Sequence, residues 1–447
     1  MLRESASEAV LEQEDFLEPE AVPAAEARPA WSPARRIAFR FLFAYFFLYI
    51  FPFPLEYVPF LDKLPEYYES LINGLFTFVG KAVFGVVIDV QPNGSGDTTW
   101  NYVQLFCWVM LALVATVVWS VLDRRRTQYE RLNDWLRVYV RSSLAVAMLS
   151  YGAFKVIKSQ FPAPTLDRLL QPYGDSSPMG LLWTFMGAST AYTFFGGFCE
   201  VLGGALLAFR RTILLGALVS AGVLVNIVML NFSYDVPVKL YSAHLLLMAL
   251  FLAAPDVKRL LNLFVLNRPV EPAPERRLFA RRGLNRAASV VGVLFFLFCF
   301  GYTLNMSYKG TKEYGDLAPK PPLYGVWNVE ELTLDGQPRP PLLTDETRWR
   351  RVVFSFPGRM AVQLMNDSRQ GYRLLLDPVK RTMALTKRGE TKPSSSLTYQ
   401  RPAQDVLLVQ GTFEGKKLSA RLKRSDPSKF LLVSRGFHWI NETPFNR

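Results

Sequence analysis

Glu200 is the only acidic residue in the apolar run 183–209, which has the length of a membrane-spanning helix. A charged side chain at the centre of a bilayer costs about 2.5–3.5 kcal/mol on insertion scales, so an intramembrane carboxylate normally faces a partner, the bundle interior or a watery cavity. Such a group can exchange a proton with a bound ligand, or it can be a neutral or paired group that holds helices together. The sequence leaves both interpretations of Glu200 open.

Two further ionisable residues lie in apolar runs. Lys155 follows Tyr151 by four residues, and His244 follows Tyr241 by three, so each pair shares one helix face. With a rise of about 1.5 Å per residue, Glu200 lies near mid-depth, and Lys155 and His244 lie in the outer part of the membrane. An ammonium, a carboxylate and an imidazole that meet in a low dielectric polarise one another, which prepares them for proton transfer. We therefore predict Glu200, Lys155 and His244 as catalytic residues. In the alternative, Lys155 extends to the membrane interface and His244 caps a neighbouring carbonyl.

The helix face around Glu200 is smooth, because glycine pairs lie three and four residues to either side of it. A second backbone or a flat ligand can approach such a face closely. In the alternative, the same glycines are packing notches, and their only role is to let neighbouring helices pack closely. The predicted ligand-binding residues are Tyr151, Tyr192, Gly196, Gly197, Gly203, Gly204 and Tyr241.

Long apolar segments must position these residues. The chain has 447 residues, of which 50% are hydrophobic, and most of its apolar runs have the roughly 20 residues that cross a bilayer. A further run, 67–90, is interrupted by glycines and Lys81, and we predict that it is an interfacial or re-entrant helix. The fold class is therefore predicted as mainly α, a multi-pass bundle of about seven transmembrane helices, with a carboxy-terminal β domain described below. The predicted spans are 37–53, 100–122, 137–161, 183–209, 212–231, 238–254 and 287–305.

Basic residues give the orientation of the bundle. Their clusters at 35–40, 124–131, 210–211 and 258–286 all fall on one side if the seven segments cross and 67–90 does not. Short loops rich in Lys and Arg stay cytoplasmic, which predicts a cytoplasmic amino terminus and an extracytoplasmic carboxy-terminal domain in the plasma membrane of a bacterium, its inner membrane. Membrane lipids are thus predicted partners. Much of the formal charge of +13 belongs to the basic residues that orient the bundle in the membrane. We therefore predict no nucleic-acid partner.

The last 130 or so residues change to short strands with alternating polarity and Gly- or Pro-containing turns. Strands at this spacing predict an antiparallel barrel. Its interior would either be packed or hold one apolar ligand. With one histidine and no cysteine in this part, we predict no metal site. The predicted strands are 325–334, 351–356, 360–364, 372–376, 382–386, 406–410 and 418–422.

The opening of the first predicted strand, Gly325-x-Trp327, resembles the signature of lipocalin-like barrels. In those barrels a late arginine packs over the tryptophan face, so the resemblance implies a cation–π contact from Arg421 or Arg435.

Two motifs in the bundle carry a second resemblance, Ser150-Tyr-Gly-Ala-Phe-Lys155 and Gly196-Gly-Phe-Cys-Glu-Val-Leu-Gly-Gly204. With them, the segment 135–256 resembles the DoxX family of four-helix membrane proteins. Relatives include a subunit of a membrane thiosulfate:quinone oxidoreductase and partners of thiol and superoxide enzymes. The resemblance implies quinone as a cofactor, a redox or thiol-handling partner protein, and functional roles for Lys155 and Glu200.

Two hypotheses of function follow. In the first, the protein belongs to a membrane redox system and binds a quinone or similar lipid headgroup in an outward-facing intramembrane pocket. Glu200 would exchange its proton, Lys155 would stabilise an oxyanion, and His244 would relay protons outward. In the second, it is a non-catalytic membrane receptor or assembly factor whose barrel binds a lipid or a partner protein. The sequence leaves open whether the protein is an enzyme, and a membrane oxidoreductase subunit is the enzymatic alternative.

The predicted organisation has five parts. These are a disordered acidic tail (1–34), transmembrane helices with the interfacial helix (35–134), the DoxX-like core (135–256), a basic cytoplasmic loop with the last transmembrane helix (257–306), and the extracytoplasmic lipocalin-like barrel (317–447).

Overall fold

The computed structural model describes residues 30–58, 61, 63–90, 93–272 and 278–446. Almost all of the predicted tail 1–34, and residues 273–277 of the predicted basic loop, lie outside the described residues. The helices are α1 (Pro33–Ile50), α2 (Leu64–Phe84), α3 (Thr99–Leu122), α4 (Glu130–Val156), α5 (Leu166–Leu169), α6 (Pro178–Ala188), α7 (Thr190–Ala208), α8 (Ile213–Ser233), α9 (Lys239–Ala253), α10 (Val257–Phe264), α11 (Arg282–Glu313) and α12 (Leu431–Ser434).

The helical part is a membrane-protein bundle. Within the described residues, six helical segments are long and apolar enough to cross a bilayer, and each overlaps one of the predicted spans. They are Pro33–Tyr57, Thr99–Leu122, Thr190–Ala208, Arg210–Ser233, Lys239–Phe264 and Arg282–Glu313.

The remaining predicted span, 137–161, belongs to α4, which is less apolar than the six. Its 27 residues extend over roughly 40 Å, enough to cross the bilayer. α4 packs against α1, α7, α9 and α11, and residues 144–149 are all buried. Because its neighbours shield it from lipid, this central helix needs less apolar surface than the outer ones.

Contacts at the helix ends define two opposite faces of the bundle. On one face, Trp31 before α1 donates its indole N–H to the Glu130 carboxylate at the start of α4 (2.8 Å). On the other face, Asp97 before α3 accepts backbone N–H groups from the start of α9. The loop after α4 lies on that second face, where Ala163 donates its backbone N–H to Asp316 after α11 (2.7 Å). α4 therefore runs from one face to the other, as a seventh crossing requires.

The helix α2 covers the predicted interfacial stretch and lies against the first half of α3. Phe76 is fully buried and meets Trp100 and Trp108 edge to face, with ring centroids 5.4 and 5.2 Å apart. Within the described residues α2 is not among the helices apolar enough to span.

The carboxy-terminal domain is a closed, eight-stranded antiparallel barrel, which confirms the predicted architecture. Its described strands pair in the order β1-β3-β4-β5-β6-β7-β8-β9, and β9 pairs with β1 to close the sheet, while the short β2 pairs with β1 alone. The strands are β1 (Gly325–Leu334), β2 (Gln337–Pro338), β3 (Trp349–Phe354), β4 (Arg359–Leu364), β5 (Arg369–Asp377), β6 (Thr382–Lys387), β7 (Ser395–Ala403), β8 (Val406–Phe413) and β9 (Lys416–Arg424).

The prediction contained seven of these strands and missed β7 and β2. β7 begins at Ser395, inside a Lys-Pro-Ser-Ser-Ser run (392–396) that is typical of a loop, and Pro402 lies near its end. Its apolar residues Leu397 and Tyr399 alternate with polar residues, as a strand with one buried face requires, and both are buried. Partners on both sides, β6 and β8, hold this polar sequence in the sheet.

The barrel interior is packed. Trp327 is fully buried, and its indole N–H donates to the Leu323 carbonyl oxygen (2.9 Å). The space left inside is about 10 Å³, no more than one water molecule occupies. Of the two predicted alternatives, the structure therefore has the packed core.

The predicted identity of the arginine over Trp327 was wrong. Arg401 on β7 lies over the ring, 5.8 Å from its centroid. Arg421 points outward and pairs with Glu330, and Arg435 lies over Phe445 instead. β9 alternates sides along its length, and Arg421 falls on the outer side.

The outer wall of the barrel docks on α5, in the loop between α4 and α6. Leu166 is buried against Val326 and Val353. Arg369 donates to the Asp167 carbonyl oxygen (2.7 Å), and the Asp167 carboxylate accepts the Ser355 hydroxyl. The barrel thus rests on the face of the bundle opposite to the start of α1.

Candidate functional site

Lys155 and Glu200 form a buried ion pair between α4 and α7. The Lys155 Nζ lies 2.8 Å from Oε1 and 2.9 Å from Oε2 of Glu200, and the two residues are 8% and 1% exposed. Lys155 therefore turns into the bundle, and the predicted alternative in which it extends to the membrane interface is wrong. Each charge offsets part of the cost of burying the other.

Glycines on both helices let this pair form. Gly152 precedes Lys155 by three residues and Gly197 precedes Glu200 by three, so each glycine lies one turn from its charged residue on the same face. A Cβ on Gly152 would lie 2.8 Å from the Gly197 carbonyl oxygen, and one on Gly197 would lie 2.8 Å from the Gly152 carbonyl oxygen. The two backbones are in direct contact at this level, which leaves no room for larger residues.

The ion pair forms part of the wall of a cavity of about 350 Å³ lined by α4, α6, α7, α8 and α9. Most of the lining is apolar or aromatic, with Phe161 and Trp183 meeting edge to face at the end nearer the barrel (ring centroids 5.1 Å apart). Such a lining with a few polar groups is typical of small-molecule sites. Four of the predicted ligand-binding residues line the cavity, namely Tyr151, Tyr192, Gly196 and Tyr241.

The other three predicted ligand-binding residues lie in helix contacts. A Cβ on Gly197 would be 2.7 Å from the Lys155 Cβ, one on Gly203 would be 2.6 Å from the Ser220 Oγ, and one on Gly204 would be 3.0 Å from the Ala145 carbonyl oxygen. These three glycines have the geometry of packing notches. At Gly196, by contrast, a Cβ would meet nothing within 4 Å.

His244 lies away from the cavity lining, against α1. Its Nδ1 lies 2.6 Å from the Leu240 carbonyl oxygen, which can only accept, so Nδ1 carries the proton. Its Nε2 then accepts the hydroxyl of Tyr45 (2.5 Å), and its ring stacks on Tyr49 with centroids 4.1 Å apart. The structure thus brings Lys155 and Glu200 together and places His244 in a separate cluster. The predicted alternative, in which it binds a carbonyl, describes this geometry.

Three amide side chains at the cavity were not predicted, those of Gln160, Asn226 and Asn231. Asn231 donates to the Ser242 hydroxyl (3.0 Å), whereas Gln160 Oε1 is buried without a hydrogen-bond partner among the described residues. Asn226 is a polar residue in the middle of the apolar α8, so the argument that identified Glu200 applies to it as well. Gln160 falls at the end of the predicted span 137–161, where a polar residue is not unusual, and in the structure it lies in the loop after α4.

The described residues hold no group of three His, Cys, Asp or Glu side chains placed to bind a metal ion. A lysine ammonium donates up to three hydrogen bonds, and two of these go to Glu200, so one remains for a ligand acceptor.

Comparison with known proteins shows similarity to a bacterial protein. The chain is 33% identical over 141 residues to a Bacillus subtilis (strain 168) protein with the name Uncharacterized protein YwoB. The match covers 32% of this chain and 87% of that protein. No family model matches the chain, and no solved structure matches it. On the extent and identity of this match, the chain belongs to the family of YwoB.

Proposed function

We propose that this protein binds the headgroup of a quinone, or of a lipid with similar chemistry, in the cavity between α4 and α9. The observation that carries the proposal is the buried Lys155–Glu200 pair in the wall of a mainly apolar and aromatic cavity. Volumes of about 300–1,000 Å³ are usual for small-molecule sites, and a quinone ring needs only part of that space.

The side chains around the ion pair suit a flat ring with carbonyl acceptors. Tyr151 and Tyr241 lie with ring centroids 5.8 Å apart and offer aromatic surface. Lys155 has one N–H left to donate to a carbonyl oxygen. Glu200 would hold or release a proton as the charge on the ligand oxygen changes. Glycine at position 196 leaves the space against α7 that a ring would occupy.

A redox role would extend this binding function. Oxidation of a quinol to a quinone releases two electrons and two protons. The Glu200 carboxylate would accept one proton, the second would leave to water, and both electrons would pass to a redox partner protein. The resemblance of 135–256 to DoxX proteins supports such a partner, of the redox or thiol-handling class. The protein would then be a subunit of a membrane oxidoreductase.

The second candidate function is a non-catalytic receptor or assembly factor. It is favoured by the packed interior of the barrel, because a packed barrel acts through its outer surface. In this version the barrel binds a partner protein, and the contact with α5 holds it against the bundle.

We further propose that the protein lies in the plasma membrane of a bacterium, with its amino terminus in the cytoplasm. The proposal is supported by two basic clusters, at the start of α1 and between α3 and α4, which lie on the face opposite to the barrel. Short loops rich in Lys and Arg stay cytoplasmic. The barrel would then be extracytoplasmic.

A titration tests the binding function. The purified protein in lipid nanodiscs is titrated with a short-tailed benzoquinone, and quenching of tryptophan fluorescence reports binding, because Trp183 lines the cavity. We expect saturable quenching that Gly196→Leu abolishes by filling the cavity. Gly301→Leu is the matched control, because a Cβ there also meets nothing within 4 Å and the position lies on α11, outside the cavity lining. Equal quenching in both variants would reject the site.

A further inference from the structure

The helices α7 and α8 are tightly packed at one end. Toward the face that carries the start of α1, a Cβ on Gly203 would lie 2.6 Å from the Ser220 Oγ, and one on Gly216 would lie 2.7 Å from the Leu207 backbone nitrogen. These contacts leave no gap between the two helices in that half of the bundle.

In the other half the same two helices separate. A Cβ on Gly196 of α7 or on Gly222 of α8 would meet nothing within 4 Å, although both positions line the cavity. Phe195 lines it too and is 60% exposed, and Asn226 opposite is also exposed. The cavity therefore reaches the outer surface of the bundle between α7 and α8, at a level where that surface faces lipid.

Asn226 is an unusual residue for this surface. It lies 13 residues into α8, roughly 20 Å along a helix that spans about 30 Å, so its amide is at the depth of the lipid tails. Among the described residues no group hydrogen-bonds this side chain. An amide without a partner in hydrocarbon is unfavourable, and a ligand with a hydrogen-bonding headgroup would satisfy it.

Gln160 gives a second, independent indication that the cavity holds a ligand with hydrogen-bonding groups. Its Oε1 is buried at the same cavity and has no partner among the described side chains. Two unpaired amides therefore border one apolar space, together with the Lys155–Glu200 pair. A molecule with several polar atoms at one end and an apolar remainder complements this distribution.

We propose that the cavity is filled sideways from the bilayer, through an opening between α7 and α8 bordered by Phe195, Gly196, Cys199, Gly222 and Asn226 (the α7–α8 opening). Its ligand is a membrane-resident lipid whose polar headgroup passes Asn226 and reaches Lys155, while its prenyl or acyl tail stays in the surrounding leaflet. This rests on the proposed function, because it names the entry route and ligand class of the same cavity.

The route is tested with Cys199 as the reporter. Cys199 borders the opening and is partly exposed, whereas Cys107 and Cys299 are 4% and 1% exposed and are changed to Ala. In nanodiscs, Cys199 is labelled with N-phenylmaleimide, which partitions into lipid, or with a sulfonated maleimide, which does not. Rates are normalised to Lys380→Cys in the cysteine-free protein, because Lys380 is exposed on the barrel. We expect N-phenylmaleimide to react at least roughly tenfold faster, because a charged reagent enters hydrocarbon poorly.

Closing the opening provides the control. Gly222→Phe places a ring in the gap and should suppress labelling by N-phenylmaleimide, whereas Gly301→Phe on α11 should leave it unchanged. Equal normalised rates for the two reagents, or unchanged labelling in Gly222→Phe, would overturn the lateral route.

The ligand class is tested by protection of Cys199. A quinone with a ten-isoprene tail in the nanodisc should slow the labelling, and Asn226→Leu should raise the quinone concentration needed by roughly tenfold, as loss of one hydrogen bond predicts. Leu suits a lipid-facing helix, so this variant should still fold. Protection by a tailless quinone only would overturn the lipid-tailed class. Lateral labelling without protection by any quinone would refute the proposed function and leave the route standing.

Discussion

Gly197 on α7 lies directly against Lys155 on α4, so closely that a Cβ at position 197 would be 2.7 Å from the Lys155 Cβ. The missing side chain is what allows Lys155 to pass over α7 and reach Glu200 one turn further on. The ion pair and the glycine contact are therefore one structural unit. A change in either should be detectable in the other.

The two neighbouring glycines should respond differently to the same change. Gly197→Ala should lower the free energy of unfolding by about 1–3 kcal/mol, because its methyl group overlaps the α4 backbone. Gly196→Ala should have little effect, because its methyl group projects into the cavity. Thermal unfolding in detergent measures both variants. Equal losses would show that the helices are not in the described contact.

The ion pair should show strong coupling between its members. Glu200→Gln leaves a buried ammonium without its counter-charge, which should cost about 3–5 kcal/mol of stability. The double variant Lys155→Met/Glu200→Gln should recover most of that loss, because both charges are absent. Unfolding of the two single variants and the double variant completes the cycle. Losses that simply add would contradict a direct pair.

His244 should act on stability rather than on ligand binding. Tyr45→Phe removes the hydroxyl that donates to His244 Nε2, and the unpaired buried nitrogen should cost about 1–3 kcal/mol. Quenching of tryptophan fluorescence by quinone should be unchanged in the fraction of Tyr45→Phe that is folded. Reduced quenching at unchanged stability would instead support the predicted catalytic role of His244.

The barrel should lose stability at high pH through Tyr372. Burial, together with the nearby Glu414 carboxylate, raises the pKa of this phenol above its usual value of about 10. The unfolded chain then ionises first, so the stability that the neutral phenol contributes is present below pH 10 and is lost as the pH rises through the raised pKa. Tyr372→Phe should flatten the pH dependence of thermal unfolding between roughly pH 10 and 11.5. Identical profiles for the two proteins would show that Tyr372 is not responsible.

The sequence predicted the parts of this structure that depend on local composition. Apolar length identified the spanning helices, and the cost of a buried charge identified Glu200 and Lys155. The sequence did not show that Gly196 lines a cavity and Gly197 contacts a helix. Adjacent helical residues point about 100° apart, and only the positions of the neighbouring helices show which residue faces a gap. His244 was grouped with Glu200 by depth alone, and depth does not give position around the bundle axis. The cavity itself arises from the separation of α7 and α8, which no single segment encodes.

The most direct test of the proposed function is the ligand content of the protein as it leaves the membrane. After gentle purification, organic extraction and mass spectrometry should find close to one quinone per wild-type chain, and little in Gly196→Leu, with Gly301→Leu retaining the wild-type amount. Wild-type protein without quinone, or equal content in Gly196→Leu and the wild type, would contradict quinone binding in this cavity.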